Sequence, residues 1–254
     1  MENNILDKGW WMKVKSILTP SRARPHRLVS FISSVDASTR VKANVEMIFY
    51  IDEDDPHLDA YKDLRNRIWD LFPDFLNFKF IFGKPQSVCD SWNDMYEQSI
   101  GDILIMGNDD LIYRTPDWDM KLREVYRKYP DEIYCAWFND SINQERHCAF
   151  PIISKKWVET VGYCFAPRGM FEFGYNDTWV FDLAKRTGRT HYMGDVMAEH
   201  NHFSNNKATY DETYKKQREG TSKYTIDGEK FGKTQNQRLL DANKLKGEMF
   251  GNER

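Results

Sequence analysis

The feature that most constrains this chain is a unit that recurs along its first half. A short apolar run rich in strand formers leads into a polar turn, and apolar residues then return every three or four positions. VEMIFYI (45–51) is followed by the acidic turn DEDDP and by Leu58, Tyr61, Leu64, Ile68 and Leu71. FKFIFG (78–83) is followed by Val88, Trp92, Met95, Tyr96 and Ser99, and DILIMG (102–107) comes next. Before them, VKSILTPSRARP (14–25) reads as a strand broken by Pro20 and Pro25, with Leu28, Phe31, Ile32 and Val35 at helical spacing behind it. Period two or continuous apolarity marks strands, and period 3.6 marks amphipathic helices. Strands apolar on both faces that alternate with helices imply an α/β fold whose mostly parallel sheet is sandwiched by helices.

The second half is looser. Trp118, Leu122, Val125, Tyr126 and Tyr129 predict one more helix, and EIYCAWF (132–138) a buried strand. RHCAFPIISKKWVETVGYCF supplies a strand and a short helix, APRGMFEFGYND an aromatic, glycine-containing loop, and TWVFDLAKRTG a helix closed by Gly188. This half reads as a substrate-side lobe. Residues 204–254 carry 11 Lys and Arg against 8 Asp and Glu with few large apolar side chains. They read as a polar C-terminal tail, or a lid, with a last helix around QRLLDANKLKGEMF.

Composition excludes some classes of function. At 254 residues, with 41% hydrophobic and 15% aromatic content, the chain closes a core. Its 36 basic and 39 acidic residues, net −3, disfavour a generic polyanion binder and leave room only for a local basic groove. No run of about 18 apolar residues exists to span a membrane, so no membrane insertion is expected. The four cysteines form no CxxC pair, and the first residues lack the apolar core of a signal peptide. Reduced thiols and a cytoplasmic location are the expectation.

Two acidic clusters carry the chemistry. Asp52, Glu53, Asp54 and Asp55 end the second strand, and Asn108, Asp109 and Asp110 end the fourth. In an open parallel sheet ligands sit outside the carboxyl ends of strands, so both clusters face one crevice. Like charges gathered there cost free energy unless a cation neutralises them. A few hard oxygen ligands suit Mg²⁺ or Mn²⁺, completed by phosphate oxygens and water. An Asp pair after a strand is also an ordinary turn, because Asp bonds its own backbone.

The ordered set TPSRARP, FYIDEDDP, GDILIMGNDDLIY, FGYNDTWVFDLAKRTG and EHNH resembles the nucleotide-sugar glycosyltransferases of the GT-A (Rossmann-like) fold, including phage-encoded, DNA-modifying members. The likeness covers roughly residues 14–203. It implies a GT-A domain over 1–203, with a donor half at about 12–112, an acceptor half at about 113–203, and the 204–254 tail unmatched. By the resemblance, Asn108, Asp109 and Asp110 occupy the DxD motif, with Asn in place of the first Asp and Asp110 as the metal ligand. His200 or His202 is a further ligand that favours Mn²⁺ over Mg²⁺, and Glu199 orients it. Arg22, Arg24, Asp52 and Asp54 meet the donor nucleotide. Asp177 is the general base, a role that competes with a simple helix cap, and Trp179 touches the acceptor.

The function so implied is a metal-dependent, inverting transfer of a sugar from a UDP-sugar to an acceptor hydroxyl. One acceptor is a 5-hydroxymethylpyrimidine in double- or single-stranded phage DNA, met in the host cytoplasm, with Arg22, Arg24, Lys155, Lys156 and Arg168 touching phosphates. Another is a surface glycan. The rival classes are a sugar-1-phosphate nucleotidyltransferase, which needs a glycine-rich first loop absent from TPSRARP, and a non-catalytic nucleotide-sugar binding module, which Asn108 admits.

Overall fold

The computed structural model describes residues 13–210, 215, 219 and 222–250. The N-terminal dozen residues, on which the signal-peptide reading fell, lie outside this range, as does most of 211–221.

Eight strands form one sheet: β1 (Lys15–Ser21), β2 (Val45–Asp52), β3 (Asn77–Gly83), β4 (Ile103–Met106), β5 (Leu111–Tyr113), β6 (Cys135–Asn139), β7 (Ile152–Ser154) and β8 (Thr190–His200). Their order across the sheet is β3-β2-β1-β4-β7-β6-β8-β5. The helices are α1 (Pro25–Ser38), α2 (Leu58–Leu71), α3 (Val88–Glu97), α4 (Trp118–Lys121), α5 (Arg123–Lys128), α6 (Lys155–Val161), α7 (Asn176–Thr187), α8 (Lys223–Lys233) and α9 (Gln235–Phe250).

The first half follows the expected alternation. β1, β2, β3 and β4 pair in parallel, with Leu18 opposite both Ile48 and Met106. Because side chains alternate across a strand, each of these strands feeds two cores. Ile17, Met47, Phe49, Ile51, Ile103 and Ile105 meet α1 and α2 on one face. Leu18, Ile48, Tyr50, Leu104 and Met106 meet α3, α6, α7 and α9 on the other. Fully burying one such side chain stabilises by about 1.5–3 kcal/mol, so the doubly apolar strands settle the position of the sheet.

Three expectations change. The sheet is mixed, with two reversed strands set in a parallel majority: β7 runs antiparallel to β4 and β6, and β5 antiparallel to β8, while the other four pairings are parallel. The stretch that holds β7 reads as a strand in the sequence, but β5 and β7 have three residues each, and nothing in so short a run sets its direction in the sheet. β1 runs through Pro20 to Ser21, because its ladder with β4 stops at Leu18 and a missing amide beyond that point costs little there. The helix expected over 118–129 is two short ones that meet at Leu122.

The C-terminal segment also differs from a polar tail. α9 falls where its sequence suggested, but Ala242 and Leu245 are fully buried beside Trp157 and Trp179. Among the described residues no helix is long and apolar enough to cross a membrane.

Candidate active site

One cavity of about 600 Å³ opens at the carboxyl ends of β1, β2 and β4. β4 leaves the sheet at Gly107, where any side chain would collide with β1: a Cβ there would stand 2.1 Å from Thr19 Oγ1. Asn108, Asp109 and Asp110 follow, and β5 then turns back to pair with β8 in a register that sets Leu111 opposite His200. Both carboxylates are thereby buried, Asp109 to 3% and Asp110 to 4% exposure.

Each has a reason to tolerate burial. Asp109 Oδ2 accepts from Ser21 Oγ at 2.6 Å, and Arg24 Nη1 stands 3.6 Å from Asp109 Oδ1. Asp110 Oδ1 lies 3.3 Å from His200 Nε2. Burial, and then the neighbouring charge of Asp110, push the Asp109 carboxyl up to about 7 against the pull of Arg24 and Ser21.

At the mouth, Arg22 Nη1 donates to Asp52 Oδ2 and to Asp54 Oδ1, both at 2.5 Å. Burial raises the Asp52 carboxyl above its ordinary value although Arg22 opposes it. Asp55, left undistinguished by the sequence, holds this loop together by accepting from the Ala23 and His57 amides at 2.7 Å. Arg22, Arg24, Asp52, Asn108 and Asp109 line the cavity; Asp54 braces Arg22 beside it.

The opposite wall comes from α7. Asp177 is the second residue of the helix, and the cap position is Tyr175, which makes no side-chain cap bond. Asp177 Oδ2 instead lies 2.8 Å from His147 Nε2, and Thr178 Oγ1 donates to Oδ1 at 3.3 Å. His147 escaped the sequence reading because a lone histidine between Arg146 and Cys148 has no spacing that points anywhere. It is presented by a turn that Asp140 fixes, whose Oδ1 accepts from the amides of Ile142, Asn143 and Gln144 at 3.0, 2.7 and 2.9 Å. The Asp140 carbonyl also accepts from the His200 amide at 3.0 Å, joining the two walls.

Some expectations fail on geometry. Trp179 is fully buried, with Nε1 donating to Tyr163 Oη at 2.8 Å, and does not face the cavity. Two helical positions are 200° apart, so the residue two after Asp177 points into the core. Glu199 does not orient His200: strand alternation turns it to the other face, where Arg114 donates to it at 2.9 and 2.7 Å. His202 lines the cavity, but its Nδ1 caps the short turn at Phe203–Asn205 by accepting from the Ser204 amide at 3.2 Å.

Among the described residues no group of three or more His, Cys, Asp and Glu is placed to share one metal ion. What remains is a pair. The 3.3 Å between Asp110 Oδ1 and His200 Nε2 is close to the roughly 3.0 Å edge of an octahedron with bonds of about 2.1 Å. His200 Nδ1 is buried with no hydrogen-bond partner among the described residues, and no bond there fixes the tautomer. Asp110 and His200 are two side chains of metal-ligating type set side by side.

The basic residues expected to meet DNA are engaged with carboxylates. Lys155 faces Glu159 at 4.0 Å, Lys156 faces Glu248 at 3.2 Å, and Arg168 faces Asp94 and Glu97 at 2.6 and 2.7 Å. Arg22 and Arg24 stand beside carboxylates as well.

No protein-family model matches this sequence, and a comparison with curated proteins found no match. Its structure is similar to solved ones. Mannosyltransferase PcManGT from Pyrobaculum calidifontis, in complex with GDP-Man and Mn²⁺, superposes with a TM-score of 0.58 at 10% identity, over 97% of this chain and 81% of that one. S. aureus TarS 1-349 in complex with UDP gives 0.57 at 10% identity, over 93% and 70%. GalNAc-T7 with UDP, GalNAc and Mn²⁺ gives 0.57 at 11% identity, over 74% and 44%. Against the longer S. aureus TarS structure, the match spans 37% of that chain. At such identities the likeness is one of architecture: the chain shares the α/β fold of these solved structures.

Proposed function

We propose that this protein is a glycosyltransferase that moves a sugar from a UDP-sugar to an acceptor hydroxyl, with inversion. The observation that carries the reading is the meeting, in one cavity, of the buried Asp109–Asp110 pair beside His200 and the Asp177–His147 pair across from it. The structures of similar fold that hold UDP, or GDP-Man with Mn²⁺, support it.

On the donor side, Asp52 accepts hydrogen bonds from the base or ribose, and Arg22, released from one of its two carboxylates, turns to the phosphates. Asn108 and Asp109 close the donor floor. Asp110 and His200 would hold a divalent ion, Mn²⁺ in preference to Mg²⁺ because of the imidazole. When bound, that ion supplies positive charge where the diphosphate leaves.

On the acceptor side, Asp177 is the base. Its Oδ2 is engaged by His147, and Oδ1, which also accepts from Thr178 Oγ1 at 3.3 Å, takes the proton of the attacking hydroxyl. The paired state of Lys155, Lys156 and Arg168 favours a glycan hydroxyl over a base in DNA. The test is incubation with Mn²⁺ and a panel of UDP-sugars, with glycans and hydroxymethylated DNA offered in parallel. Mass gain on a glycan with release of UDP is expected. Pyrophosphate release, or tight UDP binding with no transfer to any acceptor, would refute the reading.

A further inference from the structure

α8 lies beyond the stretch whose motifs resemble the glycosyltransferases, yet it reaches the cavity. Asp227, in its second turn, is fully buried. Its carboxylate accepts from three consecutive backbone amides of the loop before α7: Glu172 at 2.9 Å, Phe173 at 2.8 Å and Gly174 at 2.9 Å. Burying a carboxylate is costly unless it is hydrogen-bonded, and bonds to a charged acceptor are about twice as strong as neutral ones. An apolar contact would have docked a helix without fixing peptide planes; this carboxylate fixes three in a row.

The loop so held ends three residues before Asp177. On its other side the Val88 amide donates to the Glu172 carbonyl at 3.0 Å, so the loop is tied both to α3 and to α8. Two glycines permit the close approach. A Cβ on Gly174 would stand 2.7 Å from the Tyr224 ring, and one on Gly228 would stand 2.8 Å from Tyr175 Oη. Tyr175, at φ 65°, packs between Tyr224 at 5.1 Å and Phe231 at 5.4 Å between ring centroids. Phe173, Tyr175 and Tyr224 then share the cavity wall with Asp177.

We propose that α8 is a working part of the active site: Asp227 is a positioning residue that sets loop 172–174, and through it Asp177, while Tyr224 completes the acceptor wall. The inference rests on the glycosyltransferase reading, and its test includes a readout that does not.

The variant is Asp227→Asn in the full chain, nearly identical in shape but with an amide group facing backbone N–H groups. In ¹H–¹⁵N spectra the amides of Glu172, Phe173 and Gly174 should shift and exchange faster, and the Asp177 amide should shift with them. UDP affinity with Mn²⁺ should stay within twofold while kcat falls about tenfold or more, as for a misplaced reacting group. An unmoved Asp177 amide overturns the proposal, and so does a kcat equal to that of the unaltered protein. If the unaltered protein transfers no sugar, the function reading fails, and the Asp177 amide still decides for or against the clamp. Should Asp227→Asn fail to fold, Tyr224→Ala at an exposed ring decides instead: acceptor KM should rise severalfold with UDP affinity unchanged, and an unchanged acceptor KM overturns the proposal.

Discussion

His147 Nε2 lies 2.8 Å from Asp177 Oδ2, with both side chains about three-quarters covered and both facing the cavity. The imidazole restrains the carboxylate through Oδ2, and Oδ1, which also accepts from Thr178 Oγ1 at 3.3 Å, is the oxygen that takes a proton. Asp177→Asn should therefore lower kcat by about 10²- to 10⁴-fold with UDP affinity unchanged. His147→Ala should lower kcat less, and His147→Gln, which keeps a donor, should recover part of the loss. Rates beside calorimetric UDP titrations check this; a parallel loss of UDP affinity in the Asp177 variant would remove it from the acceptor side.

Asp110→Ala and His200→Ala should each weaken Mn²⁺-dependent UDP binding by at least about 10-fold to 100-fold, the range seen when even indirect supports of a metal are lost. His202→Ala, with its Nδ1 committed to the turn at Ser204, should cost much less. Calorimetry with Mn²⁺ and again with a chelator separates the cases. Equal losses for the two histidines would place both on the metal.

Asp109 predicts how stability depends on pH in the metal-free protein. Its folded-state value is pushed up to about 7 by burial, above the unfolded carboxylate range. The folded state therefore binds this proton more tightly than the unfolded chain does, so the contribution is complete below about pH 4. It is lost as pH rises to about 7. Thermal unfolding in the presence of a chelator should show Tm falling across that window, and Asp109→Asn should flatten the fall.

Trp179→Ala should unfold the acceptor side before it affects recognition. Removing a fully buried Trp costs about 3–5 kcal/mol, and here the Tyr163 hydroxyl loses its donor as well. Denaturant titration should show that loss. A stable variant with only a raised acceptor KM would restore Trp179 to the site.

Transfer should be nearly indifferent to salt. A protein that neutralises six to ten phosphates loses about 10³- to 10⁵-fold in affinity between 50 and 200 mM salt. With Lys155, Lys156 and Arg168 already facing carboxylates, the acceptor KM should change by less than about twofold over the same range. A steep fall would bring the DNA acceptor back.

The amino-acid sequence by itself determined the parallel half of the sheet, because each of its strands is long and apolar on both faces and each is followed by a helical period. It also determined that carboxylates gather at the strand ends, since Asp52, Asp109 and Asp110 stand directly after such runs. The helix carrying Asp177 and its glycine stop were readable for the same local reason. Tertiary structure alone decided that β5 and β7 run antiparallel to their neighbours, because a three-residue strand carries no signal of direction. It decided which histidine meets Asp110, because that depends on the register of β5 on β8. It also paired His147 with Asp177 and Asp227 with loop 172–174, contacts 30 and more than 50 residues apart that no local pattern encodes. Periodicity records which face of an element is buried; it does not record what that face meets.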